Sequence, residues 1–218
     1  AYETAIEFKN KGVDSIVVDT REASNAGIVN EAKKLGIEIK FSHAIANTSG
    51  YKKVSSATIG KLNKTKDGFE SLSELKCDCI CVSGNWTPTV HLASQSGNKL
   101  KYDSNLDTFL PDQSRQEETV IGSANGTFTL KKSLEEGFNT GIKLSNEITN
   151  YNNRVPSPIS DEKEYREHDK FWCMPLPDKK HYKRFVDFQN NVAVSDIQLA
   201  VREGFRSIEH VKRYTTLG

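Results

Sequence analysis

This sequence is poor in three features: long apolar runs, an excess of charge of one sign, and methionine. No apolar stretch approaches the ~20 residues that a membrane-spanning helix needs. The first residues, AYETAIEFKNKG, also lack the apolar core of a signal peptide. Thirty basic residues against twenty-nine acidic ones leave a net charge of +1, so no global field attracts nucleic acid or an acidic membrane. The sequence begins with alanine, and we expect a piece of a longer chain.

Cysteine is also scarce, with four in 218 residues. Three of them, Cys77, Cys79 and Cys81, alternate in a predicted strand. This pattern favours reduced thiols in a cytoplasmic protein over a disulfide scaffold. A metal site usually separates its cysteines by two or more residues, so we expect small buried thiols and no metal. The five histidines lack a familiar catalytic or metal-binding spacing, and we assign no catalytic residue.

The first forty residues alternate helical and strand patterns. The hydrophobic content of 36% and the mean hydropathy of −0.59 are compatible with a globular core. The spacing predicts helices at 1–11 and 25–35 and short apolar strands at 13–19 and 37–41. Such short apolar strands between helices are typical of a buried parallel sheet, so the pattern predicts a layered α/β fold.

The pattern changes after the second strand. Residues 43–62 predict a β-hairpin or β-meander, and 75–83 (LKCDCICVS) predict a buried strand. A further strand is predicted at 118–121 and a long helix at 127–146. Residues 150–180 hold four of the six prolines among many charges, and we interpret them as a linker.

The last thirty-odd residues predict a short strand followed by two helices. Ser195 and Asp196 fit an N-cap and a first-turn acid, and Gly204 fits a left-handed helix end. Ser207 would cap the second helix, which is basic. A helix-turn-helix for DNA is not favoured, because no second basic stripe supports phosphate contacts. Two helices bury too little apolar surface to form a domain alone.

These residues, FVDFQN-V--DI-LA-REGF-S-EH-KRYTT-G, resemble the middle segment of the alpha subunit of heterotetrameric sarcosine oxidases. In that family a similar stretch joins a dinucleotide-binding half to a folate-binding half. Related complexes hold a two-iron, two-sulfur cluster here, with a C-x-C pair before the first helix. Asp187 and Gln189 stand at those cysteine positions, and neither is a thiolate. The resemblance therefore implies a cluster-less domain of the BFD-like type.

Asp19 is the first candidate nucleotide-binding residue. It ends a predicted buried strand, where an acid in a dinucleotide-binding fold bonds the adenosine ribose hydroxyls. Such an acid favours NAD over NADP, although Arg21 beside it could accept a phosphate. The alternative is that Asp19 only initiates a turn. The glycine-rich fingerprint that accompanies such an acid would precede the first helix and is absent from this sequence.

Two further stretches are candidate nucleotide contacts. Ser83, Gly84 and Trp86 lie in CICVSGNWTPTVHL, which resembles the strand and turn where two-domain flavin/pyridine-nucleotide oxidoreductases cross between domains. The third stretch, VIGSANGTFTLKKSL, predicts a strand, a turn and a helix N-terminus, whose free N–H groups suit a pyrophosphate. A tight turn with no ligand is the alternative. In this third stretch the candidate nucleotide-binding residues are Gly122, Ser123, Asn125, Gly126 and Thr127.

Similar oxidoreductases have a Gly-Asp pair in that third stretch, whose Asp holds the flavin ribityl chain. This sequence has GSANG and no Asp there, which favours a nicotinamide dinucleotide over a flavin. The resemblance thus implies an α/β chain with part of a two-domain FAD/NAD(P)-binding fold. That fold is Rossmann-like, of the disulfide-oxidoreductase type, with a β-meander, and a small helical domain follows it.

The resemblance implies three parts. Residues 1–149 are the later part of the oxidoreductase domain, and residues 150–180 are a linker. Residues 181–218 are the truncated start of the helical middle domain. The resemblance implies NAD in this subunit, FAD and FMN with a flavin-bearing beta subunit, and tetrahydrofolate in a domain beyond this chain. The complex would oxidatively demethylate sarcosine, with small subunits as further partners. A non-catalytic scaffold, or the similar large subunit of N-methylglutamate dehydrogenase, is the alternative.

Overall fold

The computed structural model describes residues 1–84, 86–149, 156–160, 171–177 and 182–218. They form two compact units. The first unit comprises Ala1–Val82 and Phe171–Gly218, and the second comprises Ser83–Lys170. Most of the predicted linker lies outside the described residues, and the predicted domain boundaries stay a prediction. Within the described part of the chain, no helix is both long and apolar enough to cross a membrane.

The first unit begins with the predicted α/β layer. Helix α1 (Tyr2–Asn10) precedes β1 (Ile16–Asp19), and α2 (Gly27–Lys34) precedes β2 (Glu38–Phe41). Strands β1 and β2 pair in parallel, with Asp19 opposite Phe41 at their carboxyl ends. The buried apolar residues of this layer are Tyr2, Ala5, Val17, Val29, Ala32 and Ile37. The alternation of helices and strands predicted from the sequence is confirmed.

A three-stranded antiparallel meander follows, whose first two strands fall in the residues 43–62 predicted to form a hairpin or meander and whose third strand was not predicted. It consists of β3 (His43–Gly50), β4 (Val54–Leu62) and β5 (Phe69–Lys76), with β4 in the centre. The central strand carries the buried side chains Ser56, Ala57, Ile59 and Leu62. Ser42 joins the meander to β2, and its N–H donates to the Arg21 carbonyl at 2.8 Å. The start of the meander is thereby attached to the end of β1.

The buried strand predicted at 75–83 is wrong. Strand β5 ends at Lys76, and the Cys77 N–H makes one further bond, to the Ser55 carbonyl at 3.2 Å. Residues 77–83 belong to no strand, and both Cys79 and Cys81 are exposed. The alternating apolar residues were interpreted as a buried strand, whereas the ladder to β4 is made by the polar sequence FESLSELK. An edge strand with mostly exposed side chains shows little apolar periodicity.

The second unit contains α3 (His91–Gln95), β6 (Leu100–Asp103), β7 (Thr108–Pro111) and α4 (Leu130–Thr149). The long helix is confirmed, although it begins three residues later than predicted. The strand predicted at 118–121 is wrong, because these residues form no strand. The β6–β7 hairpin was not predicted. Its turn is held by the Asp103 carboxylate, which accepts from the N–H groups of Asn105 and Leu106 at 2.8 and 2.9 Å.

The carboxyl-terminal residues return to the first unit as a strand pair and two helices. Strands β8 (Phe185–Asp187) and β9 (Val192–Ala193) pair antiparallel, and α5 (Val194–Arg202) and α6 (Ile208–Thr215) follow. Gly204 has φ +95°, which confirms the predicted left-handed end of α5. The N-cap of α5 is Ala193, not Ser195, because the Asp196 carboxylate accepts the Ala193 N–H at 2.8 Å. Ser207 is the N-cap of α6, as predicted.

Candidate functional site

The Asp19 carboxylate lies at the carboxyl end of β1 and is held by two side chains. Arg21 donates from Nη2 to Oδ2 at 2.7 Å and from Nε to both oxygens at 3.1 Å. The Arg21 backbone N–H donates to Oδ1 at 3.0 Å, and the Tyr2 hydroxyl donates to Oδ2 at 2.5 Å. Each carboxylate oxygen therefore accepts at least two hydrogen bonds from within the chain.

The Asp19–Arg21 ion pair is largely withdrawn from solvent. The side chains of Arg21 and Asp19 are 15% and 9% exposed. Burial by itself would raise the pKa of Asp19, but the hydrogen bonds from Arg21 and Tyr2 outweigh it and hold that pKa below its usual value. Burial and the neighbouring carboxylate raise the pKa of the Tyr2 phenol. Asp19 is therefore a charged acceptor and Tyr2 a protonated donor at neutral pH.

The candidate residues Ser83, Gly84 and Trp86 lie together at the start of the second unit, outside any helix or strand. All three are exposed, and Trp86 is 66% exposed. A Cβ added at Gly84 would meet no atom within 4 Å, so backbone is open to approach at this position. This segment can therefore offer an open backbone and one large aromatic surface to a ligand.

The third candidate stretch forms a compact turn ahead of α4. Gly122–Asn125 make one turn of 3-10 helix, and Gly126 follows in the left-handed region with φ +83°. The Gly126 N–H donates to the Ser123 carbonyl at 3.2 Å, and the Thr127 N–H donates to the Gly122 carbonyl at 3.0 Å. Gly122, Ser123, Asn125, Gly126 and Thr127 thus lie in one compact turn.

A carboxylate from α4 already occupies this turn. Glu136 accepts the Gly122 N–H at 2.8 Å through Oε2 and the Thr127 hydroxyl through Oε1. Ser133, also in α4, donates its hydroxyl to the Thr127 carbonyl at 3.0 Å. The N–H groups of Gly122, Gly126 and Thr127 are therefore engaged within the chain. The expectation that they are free donors for a pyrophosphate is wrong for these three.

Two of the cysteines, Cys79 and Cys81, lie close to each other. The sulfurs of Cys79 and Cys81 are 4.0 Å apart, and both side chains are exposed. The hydrogen bond between the two sulfurs, and then the charge of Cys81, raise the pKa of the Cys79 thiol. Within the ranges that the structure describes, no group of three His, Cys, Asp or Glu residues is arranged to hold a metal ion.

Sequence reasoning missed Tyr2 and Glu136. Tyr2 meets Asp19 across 17 positions, and Glu136 meets Gly122 across 14. The predicted layered α/β fold places helices against the strands in general, but it identifies no residue that lies near Asp19. The sequence has no signal for Glu136, because a second-turn acid that bonds back to a preceding turn follows no local capping pattern.

The fold of this chain is similar to that of a solved dehydrogenase structure. The chain superposes on L-proline dehydrogenase from P. horikoshii with a TM-score of 0.51 and 17% identity, which covers 93% of this chain and 40% of that one. At this identity the likeness shows the fold alone. The likeness agrees with the predicted α/β fold class.

Comparisons of the amino-acid sequence identify a more specific group of similar proteins than the fold does. Residues 181–218 match the family model of the sarcosine oxidase A3 domain. The whole chain is 29% identical to sarcosine oxidase subunit alpha of Rhizobium meliloti, and 26% identical to that of Corynebacterium sp. strain P-1. It spans 21% and 23% of the length of these relatives. The predicted resemblance to sarcosine oxidase alpha subunits is thus confirmed along the whole chain.

The turn at Gly126 should not tolerate a side chain. Ala at this position would have to adopt the left-handed backbone conformation, which costs roughly 1–2 kcal/mol. Its Cβ would also come within 2.7 Å of Leu106 Cδ1. We expect Gly126→Ala to lower the free energy of unfolding, measured by urea denaturation. Gly141→Ala is the matched control, because Gly141 lies in α4 with nothing within 4 Å of an added Cβ. Gly141→Ala should stabilise the protein by about 0.5–1 kcal/mol. Equal changes in the free energy of unfolding for the two substitutions would contradict the assigned turn geometry.

The Asp19 ion pair predicts acid-sensitive stability. Because the folded-state pKa is depressed, the stabilisation is present above the unfolded value of about 3.9 and is lost as the pH falls through the folded pKa. Asp19→Asn removes this contribution. We expect the difference in free energy of unfolding between the wild-type protein and Asp19→Asn to shrink as the pH falls below about 4.

Asp14→Asn is the control for this titration. Its carboxylate pairs with Lys9 at 3.0 Å, but its side chain is 94% exposed. An exposed pair of this kind contributes little to stability. We expect Asp14→Asn to follow the wild-type urea denaturation curve at every pH. A pH-independent difference for Asp19→Asn would contradict the assigned ion pair.

Proposed function

We propose that this chain is part of the alpha subunit of a sarcosine-oxidase-type complex, in which it binds NAD and docks the flavin-bearing subunit. The observation that carries the proposal is the similarity to sarcosine oxidase alpha subunits over the whole chain. The complex oxidatively demethylates sarcosine, a secondary amine, in the cytoplasm. No residue of this chain is assigned to the amine oxidation itself.

The NAD part of the proposal is supported by the position of Asp19. A carboxylate at the carboxyl end of a parallel strand is placed as the acid that bonds a ribose in dinucleotide-binding folds. Its negative charge disfavours a ribose that carries a phosphate, which favours NAD over NADP. Arg21 is already paired with Asp19, which reduces its availability for such a phosphate.

The second unit carries candidate nucleotide contacts of its own. We propose Ser83, Gly84 and Trp86, on the exposure of Trp86 and the open backbone at Gly84. The turn of Gly122, Ser123, Asn125, Gly126 and Thr127 is proposed as a pyrophosphate contact. For that contact the Glu136 carboxylate has to leave the Gly122 N–H, since an anion cannot share that donor with a carboxylate.

The rest of the complex follows from the family resemblance. FAD and FMN would lie with the flavin-bearing beta subunit, and tetrahydrofolate would bind in a domain beyond this chain. The complex would be a heterotetramer with small subunits as the remaining partners. The helices of residues 182–218 would start a BFD-like domain without its cluster, where Asp187 caps a turn by accepting the Gln189 N–H at 2.8 Å. N-methylglutamate dehydrogenase, with its similar large subunit, remains the alternative substrate assignment.

A second candidate function is a nucleotide-free assembly scaffold. The observation that favours it is that both acidic groups of the candidate sites are satisfied internally. Asp19 accepts from Tyr2 and Arg21, and Glu136 accepts from Gly122 and Thr127. A fold that fills its ligand positions with its own side chains is stable without the ligand. In that case the chain would act only as a surface for the other subunits.

Nucleotide content separates the two functions. We expect the purified full-length subunit to release stoichiometric NAD on acid denaturation, measured by liquid chromatography. Asp19→Asn, which removes the ribose acceptor charge, should reduce the bound NAD by about tenfold or more, as for loss of a charged hydrogen bond. Asp14→Asn, on the neighbouring exposed carboxylate, should retain it. Subunit without nucleotide would support the scaffold, and stoichiometric FAD would contradict the NAD proposal.

Glu136 offers a second test of the same proposal. Glu136→Gln keeps the size of the side chain but removes the charge that competes with a pyrophosphate. If the turn binds the dinucleotide, this variant should bind NAD more tightly, with a lower Kd by isothermal titration of nucleotide-stripped subunit. Glu135→Gln, one position away on the same helix, is the matched control. Weaker or unchanged binding in Glu136→Gln would exclude the turn from the nucleotide site.

A further inference from the structure

The segment after β5 carries two thiols in close proximity. The Sγ atoms of Cys79 and Cys81 are 4.0 Å apart, and both residues are exposed. The third cysteine of the segment, Cys77, is only partly accessible. Because alternate residues of an extended chain point to one side, Cys79 and Cys81 face the same solvent region. The pair is thus both adjacent and open to small reagents.

The backbone of this segment has little to hold it in place. Cys77 makes the last ladder bond, from its N–H to the Ser55 carbonyl. The residues beyond it, up to the end of the first unit at Val82, belong to no helix or strand. A segment outside the sheet can change its backbone angles without breaking a ladder. It can therefore bring the two sulfurs from 4.0 Å to the bonding distance of about 2.05 Å.

We propose that Cys79 and Cys81 form a reversible disulfide when the protein meets hydrogen peroxide. The inference is independent of the proposed function, because it needs only the two thiols and a peroxide oxidant. A metal at this pair is not favoured. Across the described ranges, no third His, Cys, Asp or Glu completes a group that could hold one. Cys77 is not favoured as a partner, because its backbone is tied to the sheet.

The chemistry balances with peroxide as the two-electron oxidant. One thiolate of the pair attacks a peroxide oxygen, the O–O bond breaks, and a sulfenic acid and hydroxide form. The second thiol then attacks the sulfenic sulfur, the S–O bond breaks, and the disulfide and one water form. In sum, two thiols and one hydrogen peroxide give one disulfide and two waters. Exposed and strained disulfides are easily reduced, so a small-molecule dithiol should reverse the step.

The test is peptide mapping of the full-length protein before and after treatment with hydrogen peroxide. Free thiols are blocked with an alkylating agent, and the peptide that contains residues 77–81 is analysed with and without a reducing agent. We expect peroxide to convert Cys79 and Cys81 from the alkylated form to an internal disulfide. Dithiothreitol treatment before alkylation should restore both to the alkylated form.

Single serine variants decide between the alternatives. Cys79→Ser and Cys81→Ser should each abolish the internal disulfide, whereas Cys77→Ser and Cys173→Ser should retain it. These four changes have the same chemistry, so the two that retain the bond are matched controls. A Cys77-containing disulfide would overturn the proposal. Stepwise oxidation of Cys79 and Cys81 to sulfinic acids, with no disulfide at any peroxide dose, would also overturn it.

Discussion

The largely buried ion pair between Asp19 and Arg21 links three elements of the first unit. A carboxylate in this position has to be paired, because an isolated buried charge is strongly destabilising. Arg21 supplies the charge, and the Tyr2 hydroxyl from α1 supplies a further donor. The Arg21 carbonyl accepts the Ser42 N–H, where β2 turns into the meander. One network thus joins the first helix, the end of the first strand and the start of the meander.

The hydrogen bonds of this network compete with a nucleotide for the Asp19 carboxylate. Asp19 and Arg21 are mostly withdrawn from solvent, so a ligand that displaced Arg21 would have to replace the hydrogen bonds that Arg21 donates to the carboxylate. The turn before α4 has the same property, because Glu136 satisfies the Gly122 N–H and the Thr127 hydroxyl. These two candidate sites are therefore stable without a ligand. A dinucleotide would bind by exchange of internal contacts rather than by filling unsatisfied groups.

The sequence predicted those parts of the fold whose signals are local. The α/β layer followed from apolar strands between helices, and Gly204 marked the end of α5 through its left-handed conformation. The prediction failed where polar residues form an edge strand, as in β5, and where an apolar run forms none, as at Cys79 and Cys81. For an edge strand, pairing with its neighbour decides the structure, and pairing leaves little trace in one strand's own sequence. Tyr2 and Glu136 were missed for the same reason, since each acts across a long separation.

Among the contacts of Asp19, the Tyr2 hydroxyl is the one that a ribose can replace with the least change. Tyr2 and a ribose hydroxyl are both neutral O–H donors, so their exchange keeps the number and kind of hydrogen bonds to Oδ2. Arg21 is a charged donor with two nitrogens on the carboxylate, and no neutral hydroxyl replaces its charge. The ion pair can therefore remain intact while Tyr2 gives way. On this argument the structural role of Asp19 and its proposed role in binding are compatible, because they use different donors of the same network.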